Sequence, residues 1–238
     1  MTKERTGLPL LLVLAGVLFS INLGGYDVWP PDEPRFAEVA REMVLTGDWL
    51  APHVNGQPYT EKPPLLFWGI AAASLPGGRV TALTARVPSV LSALLVVALT
   101  FLMARRMFGR RIAFWSALAL MTGLRFWWQA RTGQIDMVLT ACMAMAMYHL
   151  WQWDEDRRAW RLPVIYLAIA AGLLAKGPPA LVFPLLWILV FYWGNRPARK
   201  QLHWILGCLA AMGIACLWFV PARMAVAGHV TNTLNEGV

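Results

Sequence analysis

The chain has 238 residues, of which 58% are hydrophobic and 14% are charged. Soluble domains are about half apolar and about a quarter charged, so this composition argues against a soluble globular protein. A net charge of +8 would suggest a nucleic acid partner in a soluble protein. Here it follows from short basic clusters between apolar runs, which is a topology signal, and no nucleic acid partner is expected.

The apolar runs predict an all-α polytopic membrane protein, because helices satisfy their own backbone in lipid and the runs lack the alternation of barrel strands. Lys3 and Arg5 precede the first run, and no small-residue cleavage site follows it, which indicates a retained signal anchor. The three cysteines lie within the apolar runs and form no CxxC motif, so we interpret them as packing residues. The predicted spans are 8–26, 86–104, 112–124, 137–153, 162–175, 180–194 and 203–221.

The apolar stretch 63–78 decides the sidedness of the chain. If it lies at the interface, the basic clusters at 3–5, 105–111, 157–161 and 196–200 all fall on one side, which the positive-inside rule makes cytoplasmic. We therefore predict a single transmembrane domain over 1–238, with 27–85 as its first extracytoplasmic loop. An odd number of spans and the ending "HVTNTLNEGV" indicate that a C-terminal half is missing.

The first loop holds seven of the thirteen acidic residues. Asp32, Glu33 and Pro34 are typical of a helix start, and Gly47 is a plausible end. Between them an apolar stripe predicts an amphipathic helix lying on the membrane with its apolar side down. The stripe consists of Phe36, Val39, Ala40, Met43 and Val44. A second interfacial helix is expected after Pro63 and Pro64.

Each polar residue of interest also has a purely structural interpretation. Asp32 and Asp136 could be N-caps of the helices they open. Glu61 and Lys62 could be an exposed charge pair, and Lys176 could be a lysine that extends from a helix end to the interface. Glu38 and Glu42 fit the solvated face of the first-loop helix.

Four segments together resemble a known family: "DEPRFAEVAREM" with "TGDWLAPHVNGQPYTEKPPLLFW", "ARVPSVLSALLVVALTFLMARRMFG", "ARTGQIDMVLTACMAMAM" and "GLLAKGPPALVFPLLW". In this order they resemble the bacterial lipid A aminoarabinose transferases, within the protein mannosyltransferase superfamily. Members are about twice as long as this chain, so the resemblance covers an N-terminal half. It implies the GT-C architecture, a helical bundle in the inner membrane with its catalytic cavity on the extracytoplasmic face.

The resemblance also implies roles for individual residues. Asp32 matches the catalytic carboxylate of the family, and Glu61 matches a glutamate that, with a histidine, can hold a divalent metal. His53 and His229 lie outside the membrane, but neither matches a family motif, and no other cofactor is implied. The remaining expected catalytic residues are Arg35, Lys62 and Asp136, and the expected substrate-binding residues are Glu33, Tyr59 and Lys176.

These residue types suit an inverting sugar transfer from a polyprenyl-phosphate donor. A carboxylate orients the nucleophile and stabilises oxocarbenium charge, while cations such as Lys62 and Arg35 meet the leaving phosphate. No nucleotide-binding loop is present in the sequence. We therefore expect transfer of aminoarabinose or a related sugar to lipid A, and we expect Asp32, Lys62 and Asp136 to share one pocket.

Other functions remain open from the sequence. A protein or another envelope glycan as acceptor would use the same donor chemistry. A transporter would carry polar residues in the middle of its spans and a pair of broken helices, whereas the span interiors here are almost free of charge. A noncatalytic membrane scaffold would tolerate the loss of Asp32 and Lys62.

Overall fold

A computed structural model of the chain describes residues 7–192 and 198–235. These residues form an almost entirely helical bundle with one very short antiparallel hairpin. The helices are α1 (Gly7–Ser20), α2 (Asp32–Thr46), α3 (Leu65–Ser74), α4 (Ala82–Phe108), α5 (Arg110–Thr122), α6 (Leu124–Ala130), α7 (Ile135–Asp156), α8 (Arg161–Lys176), α9 (Pro179–Tyr192) and α10 (Ala198–Asn235). The hairpin strands are β1 (His53–Val54) and β2 (Gln57–Pro58), and a 3-10 turn at Leu75–Gly77 follows α3.

Each predicted span overlaps one helix of the bundle. Within the described ranges, two segments are long and apolar enough to cross a membrane by themselves, Ala82–Phe108 and Trp204–Ala225. The number of crossings therefore stays a prediction. The stretch 63–78 holds α3, whose 10 residues extend only about 15 Å, which is too short for a perpendicular span. Of the basic residues used to predict sidedness, Lys3, Arg5 and Arg196 lie outside the described part of the chain.

The helices pack around two hydrophobic clusters. One joins α2, α3, α7, α8 and α10, and the other joins α1, α4, α5 and the first turn of α7. Helix α1 buries Leu11, Ala15 and Phe19 on one face and leaves Val13 and Val17 64% and 58% exposed on the other. An apolar exposed face of this kind suits contact with lipid acyl chains, as the composition predicts.

The apolar faces of α2 and α3, the two helices of the first loop, are covered by other side chains of the protein. Phe36 and Val39 of α2 are 2% and 0% exposed, and Phe67 of α3 is fully buried. The rings of Phe36 and Phe67 lie 5.6 Å apart, because α3 packs beneath α2. The apolar stripe of α2 therefore faces protein, where we had expected it to face lipid.

Aromatic side chains fasten α10 to the bundle. The Trp204 ring lies 5.2 Å from the ring of Trp153 on α7 and 6.1 Å from the ring of Tyr166 on α8. Tyr166 also packs directly against Gly207, where an added Cβ would lie 1.8 Å from the phenol ring. Further along α10, the Trp218 indole donates a hydrogen bond to the Leu50 carbonyl at 2.9 Å. The last helix is thus tied to the loop that follows α2.

Two glycines of α10, Gly207 and Gly213, allow a matched test of this packing. We expect Gly207→Ala to lower the thermal unfolding temperature of the purified protein, because the new methyl group overlaps the Tyr166 ring; overpacking of this kind costs about 1–3 kcal/mol. Gly213→Ala is the control, since an added Cβ there meets nothing within 4 Å. It should be neutral or slightly stabilising, because alanine favours helix. Equal unfolding temperatures for the two variants would contradict the α8–α10 packing.

Candidate functional site

The acidic first loop forms a cleft between the first turn of α2 and the segment that leads from β2 to α3. The cleft has a volume of about 620 Å³ and a mixed polar and apolar lining. Its lining includes three of the residues expected from the sequence, which are Arg35, Tyr59 and Glu61. Asp32 opens α2 one turn before Arg35, and Lys62 follows Glu61, so both belong to the segments that build the cleft.

A tight hairpin directs the segment 58–62 toward α2. Asn55 and Gly56 both adopt positive φ, 55° and 73°, which is the conformation that an Asn-Gly turn favours. The Gly56 N–H donates to both carboxylate oxygens of Glu42 on α2, at 3.2 Å each, so the turn is fixed to that helix. The Tyr59 N–H donates to the Pro52 carbonyl at 2.7 Å and closes the hairpin. Glu42 thus has a partner that a solvated face would not provide.

Asp32 does not act as the N-cap of α2. Pro31 occupies the cap position, and no side chain caps the helix. Asp32 is partly buried, and the structure records no hydrogen bond or ion pair for its carboxylate within the described ranges. Its charge contributes to the electrostatics of Arg35 and Tyr59, which places it beside the cleft. The carboxylate is therefore available to a ligand.

Two cations lie on these segments. Arg35 contacts Glu61 at 3.6 Å, with both side chains substantially exposed at 41% and 66%, so the pair is weak and open to competition. Its pKa is raised, mainly by the neighbouring Tyr59. Lys62 is partly buried and has no ion-pair partner among the described residues. In the structure Glu61 therefore pairs with Arg35, and not with Lys62 as in the exposed charge pair considered above.

Tyr59 brings a buried hydroxyl to the wall of the cleft. The residue is 4% exposed, and its ring packs edge-on against Phe67 with centroids 5.8 Å apart. Its oxygen has no partner that meets hydrogen-bond geometry within the described part of the chain, although the Arg35 guanidinium is close enough to affect the pKa of the phenol. Burial raises the pKa of the phenol, and this outweighs the opposing effect of Arg35. A buried hydroxyl without a partner is costly unless a ligand supplies one.

The predicted metal site finds no support in the structure. Glu61 has the cation Arg35 as its partner, and no group of three or more His, Cys, Asp or Glu side chains forms within the described ranges. The side chain of His229 lies outside them. The metal site therefore stays a prediction, and no step of the reaction is assigned to a metal.

Asp136 and Lys176 form a second polar site. Asp136 lies in the first turn of α7, where Gln134 holds the cap position, and its carboxylate accepts a hydrogen bond from the Lys176 ammonium at the end of α8. Both side chains are about 40% exposed, at 42% and 40%. This pairing differs from both structural interpretations of these residues, an N-cap for Asp136 and an unpaired interfacial lysine for Lys176.

An apolar groove runs along α7 and α9 from this ion pair. It has a volume of about 690 Å³, and among the described residues that line it Asp136 is the ionisable one. The other lining residues are Leu139, Thr140, Met143, Ala144, Met147, Phe183, Leu186 and Val190. Asp136 does not line the cleft that holds Arg35, Tyr59 and Glu61. The polar cleft and the apolar groove are thus separate cavities in the described residues, and a common pocket for Asp32, Lys62 and Asp136 stays a prediction.

Glu33 lies inside the protein, although we expected it to contact substrate. It is 0% exposed and pairs with Arg86 of α4, which is also 0% exposed. The two carboxylate oxygens accept from Arg86 Nε at 2.8 Å and Nη2 at 3.0 Å. Glu33 can therefore influence a bound ligand only indirectly, through the groups whose positions it fixes.

Two buried arginines of this region, Arg86 and Arg131, were given no role from the sequence. Arg131 donates to the carbonyls of Leu18 at 3.1 Å and Ile21 at 2.5 Å, at the end of α1, and stacks over Trp127. The sequence did contain a signal for such residues, because a charged residue within an apolar helix needs a buried partner and indicates a functional site. Arg86 is such a charge, at the start of the span predicted over 86–104.

Known proteins match most of this chain. It is 33% identical over 224 residues to undecaprenyl phosphate-alpha-4-amino-4-deoxy-L-arabinose arabinosyl transferase 2 of Pseudomonas fluorescens, covering 91% of this chain and 38% of that relative. Its identity to the arabinosyl transferase of the same description in Pseudomonas aeruginosa is 32% over 235 residues, covering 96% of this chain and 42% of that relative. The chain spans about two-fifths of the length of these relatives.

The fold is also that of a solved structure, ArnT from Cupriavidus metallidurans bound to undecaprenyl phosphate. The TM-score is 0.80 at 27% identity, over 93% of this chain and 42% of that chain. The apo structure of ArnT from the same organism gives the same TM-score. The chain thus has the fold of a polytopic helical membrane protein with the GT-C glycosyltransferase architecture, which confirms the predicted fold class.

The family follows from a match to a sequence profile. The sequence profile of the dolichyl-phosphate-mannose-protein mannosyltransferase family matches residues 61–219, and this chain belongs to that family. The resemblance inferred from the sequence motifs is therefore confirmed.

The Tyr59 hydroxyl allows a stability test of the cleft. We expect Tyr59→Phe to leave the thermal unfolding temperature unchanged or slightly raised, because the change removes a buried oxygen that has no partner. Tyr26→Phe is the matched control, since the Tyr26 hydroxyl donates to the Arg131 carbonyl at 3.0 Å. Its loss should cost about 1 kcal/mol. Equal destabilisation by both variants would mean that Tyr59 is satisfied within the protein and is not reserved for a ligand.

Proposed function

We propose that this chain is the N-terminal part of a glycosyltransferase that moves 4-amino-4-deoxy-arabinose from undecaprenyl phosphate to lipid A. The curated relatives carry that donor in their names, and a related solved structure holds undecaprenyl phosphate. The observation that carries the proposal is the Asp32 carboxylate, which has no partner in the described ranges and lies beside the cleft lined by Arg35 and Tyr59. An unpaired carboxylate next to cations suits a transfer in which charge develops on both sides of the reacting carbon.

The reaction exchanges one bond at the anomeric carbon of the sugar. An acceptor oxygen attacks that carbon, the bond to the donor phosphate oxygen breaks, and its electron pair leaves with the phosphate. Attack opposite the leaving group inverts the configuration. A lipid A phosphate is already ionised near neutral pH, so Asp32 would orient it and stabilise the oxocarbenium-like sugar without removing a proton.

Cations near the cleft would stabilise the leaving phosphate. Lys62 has no ion-pair partner in the described ranges, and the exposed contact between Arg35 and Glu61 is weak enough for a phosphate to displace. The Tyr59 hydroxyl would supply a further hydrogen bond at the cleft wall. These residues bind and orient, and they also stabilise negative charge where it develops.

The Asp136–Lys176 site suits the lipid part of a substrate. Lys176 provides a cation at the outer end of an apolar groove along α7 and α9. A lipid phosphate needs this combination, since its head group is charged and its tail belongs in an apolar channel. A protein or another envelope glycan as acceptor would keep the same donor chemistry, and transfer assays with different acceptors distinguish these cases.

Replacement of Asp32 tests the catalytic assignment. In the full-length protein, we expect Asp32→Asn to reduce transfer from undecaprenyl-phosphate-linked aminoarabinose to lipid A by about 10²–10⁴-fold, because the carboxylate charge is lost. Asp48→Asn is the control in the same loop; it retains the Oδ1 acceptor that binds the Leu50 and Ala51 N–H groups. Full activity of Asp32→Asn would reject the assignment and favour the scaffold alternative.

Cysteine labelling tests which side of the membrane bears the cleft. In a protein whose three cysteines are replaced by alanine, we expect an impermeant maleimide to label Gln57→Cys in intact spheroplasts, because Gln57 is exposed and the proposed sidedness puts the hairpin outside the cytoplasm. Arg111→Cys, at the start of α5, should react only after permeabilisation. The reverse pattern would place the cleft on the cytoplasmic side and overturn the proposed sidedness.

A further inference from the structure

Arg86 uses its whole guanidinium group to hold three segments together. An arginine has five N–H groups, and five hydrogen bonds leave this side chain. Two go to Glu33, and the other three go to the carbonyls of Leu23, Tyr26 and Asp27, at 2.6, 3.0 and 2.8 Å. The guanidinium also lies 3.8 Å from the centre of the Tyr26 ring. The chain between α1 and α2 is therefore wrapped around one side chain of α4.

Glu33 connects this cation to two further backbone groups. Its Oε1 accepts from the Gly133 N–H at 2.7 Å, and its Oε2 accepts from the Trp29 N–H at 2.5 Å. Each oxygen thus has one bond from Arg86 and one from the backbone. Gly133 belongs to the loop between α6 and α7, far from Glu33 in sequence but fixed to it in space.

Both predicted catalytic carboxylates are attached to this network through the backbone. Asp32 precedes Glu33 directly, and Asp136 follows Gly133 by three residues, in the first turn of α7. The cleft beside Asp32 and the groove below Asp136 are separate, so a common anchor is needed to fix one relative to the other. The Arg86–Glu33 pair is such an anchor.

We propose that Arg86 is a positioning residue, which sets the Asp32 side of the site relative to the Asp136 side by holding Glu33 and, through it, the Gly133 loop. This inference rests on the proposed function, because it gives both carboxylates a part in one transfer reaction. Arg86 is buried and touches no substrate, so its effect on the rate passes through these two backbone segments.

The first test replaces the guanidinium by an ammonium in the full-length protein. Arg86→Lys keeps the positive charge, but with three N–H groups it cannot reproduce the five bonds. We expect kcat to fall about 100-fold with KM within about threefold, because displacement of reacting groups by about 1 Å has an effect of that size. The assay uses undecaprenyl-phosphate-linked aminoarabinose and lipid A, and unfolding temperature is measured alongside.

A second buried arginine provides the matched control. Arg161 is 3% exposed and binds Asp156 through Nε at 2.9 Å and Nη2 at 2.6 Å, a contact that lowers the pKa of Asp156 to about 2. It lies at the opposite end of α7, about 30 Å from Asp136 by helix rise. Arg161→Lys should lower the unfolding temperature comparably and change kcat less than about threefold. Equal kcat values for the two variants, or failure of Arg86→Lys alone to fold, would overturn the positioning role.

A glycine variant tests the same link without changing any charge. A Cβ at Gly133 would lie 2.8 Å from the Ala85 carbonyl oxygen and 3.3 Å from Glu33 Oε1, so Gly133→Ala must push the loop away from the carboxylate. We expect the same loss in kcat, whereas Gly207→Ala, whose nearest clash is with Tyr166, should leave kcat unchanged in the folded protein. Normal kcat in Gly133→Ala would contradict the proposal.

The outcome for Asp32 separates this inference from the proposed function. If Asp32→Asn is inactive while Arg86→Lys and Gly133→Ala keep the normal kcat, the positioning role fails and the catalytic assignment stands. If Asp32→Asn is fully active, the catalytic assignment is wrong, and the proposed function fails whatever the Arg86→Lys and Gly133→Ala variants show.

Discussion

The buried ion pair between Glu33 and Arg86 is the constraint on which the arrangement of the cleft and the groove depends. Both side chains are fully buried, and every N–H of the guanidinium has an acceptor. Loss of one partner from such a pair costs about 3–5 kcal/mol, because the other charge stays buried, whereas apolar replacement of both is often neutral. The pair therefore contributes mainly by fixing the relative positions of the segments that it joins, and not by adding net stability. It fixes the start of α2 and the loop before α7 to one point on α4.

That geometry separates two surfaces with different chemistry. The cleft at α2 is polar, with Arg35 and Glu61 in a weak exposed pair and a buried Tyr59 hydroxyl in its wall. The groove between α7 and α9 is lined by apolar side chains where the structure describes it, with a charged pair at its Asp136 end. A substrate that joins a charged sugar phosphate to a long hydrocarbon needs both kinds of surface. The chain, which spans about two-fifths of the length of its relatives, carries both surfaces.

Much of the fold could be predicted from the sequence, and part of the site could not. The apolar runs indicated the helices, and Gly47 was correctly identified as the C-terminal end of α2. The Asn55–Gly56 hairpin also has a local signal, which we did not use, because an Asn-Gly pair favours the required positive φ. Partners were harder to predict. Glu33 could not be matched to Arg86 from local patterns, because 53 residues separate them and no periodicity links a loop to a later helix.

The sequence by itself determined the class of the protein and the residue types of its site, since hydropathy, helix-end signals and family motifs are carried by neighbouring residues. Only the tertiary structure decided which charged side chains are buried and which partner each of them has. It turned Glu33 inward, left Asp32 unpaired in the described ranges, and joined Asp136 to Lys176. The physical reason is that burial and pairing depend on which helices pack together. A carboxylate one position further along α2 points toward the core, while its neighbour remains at the surface.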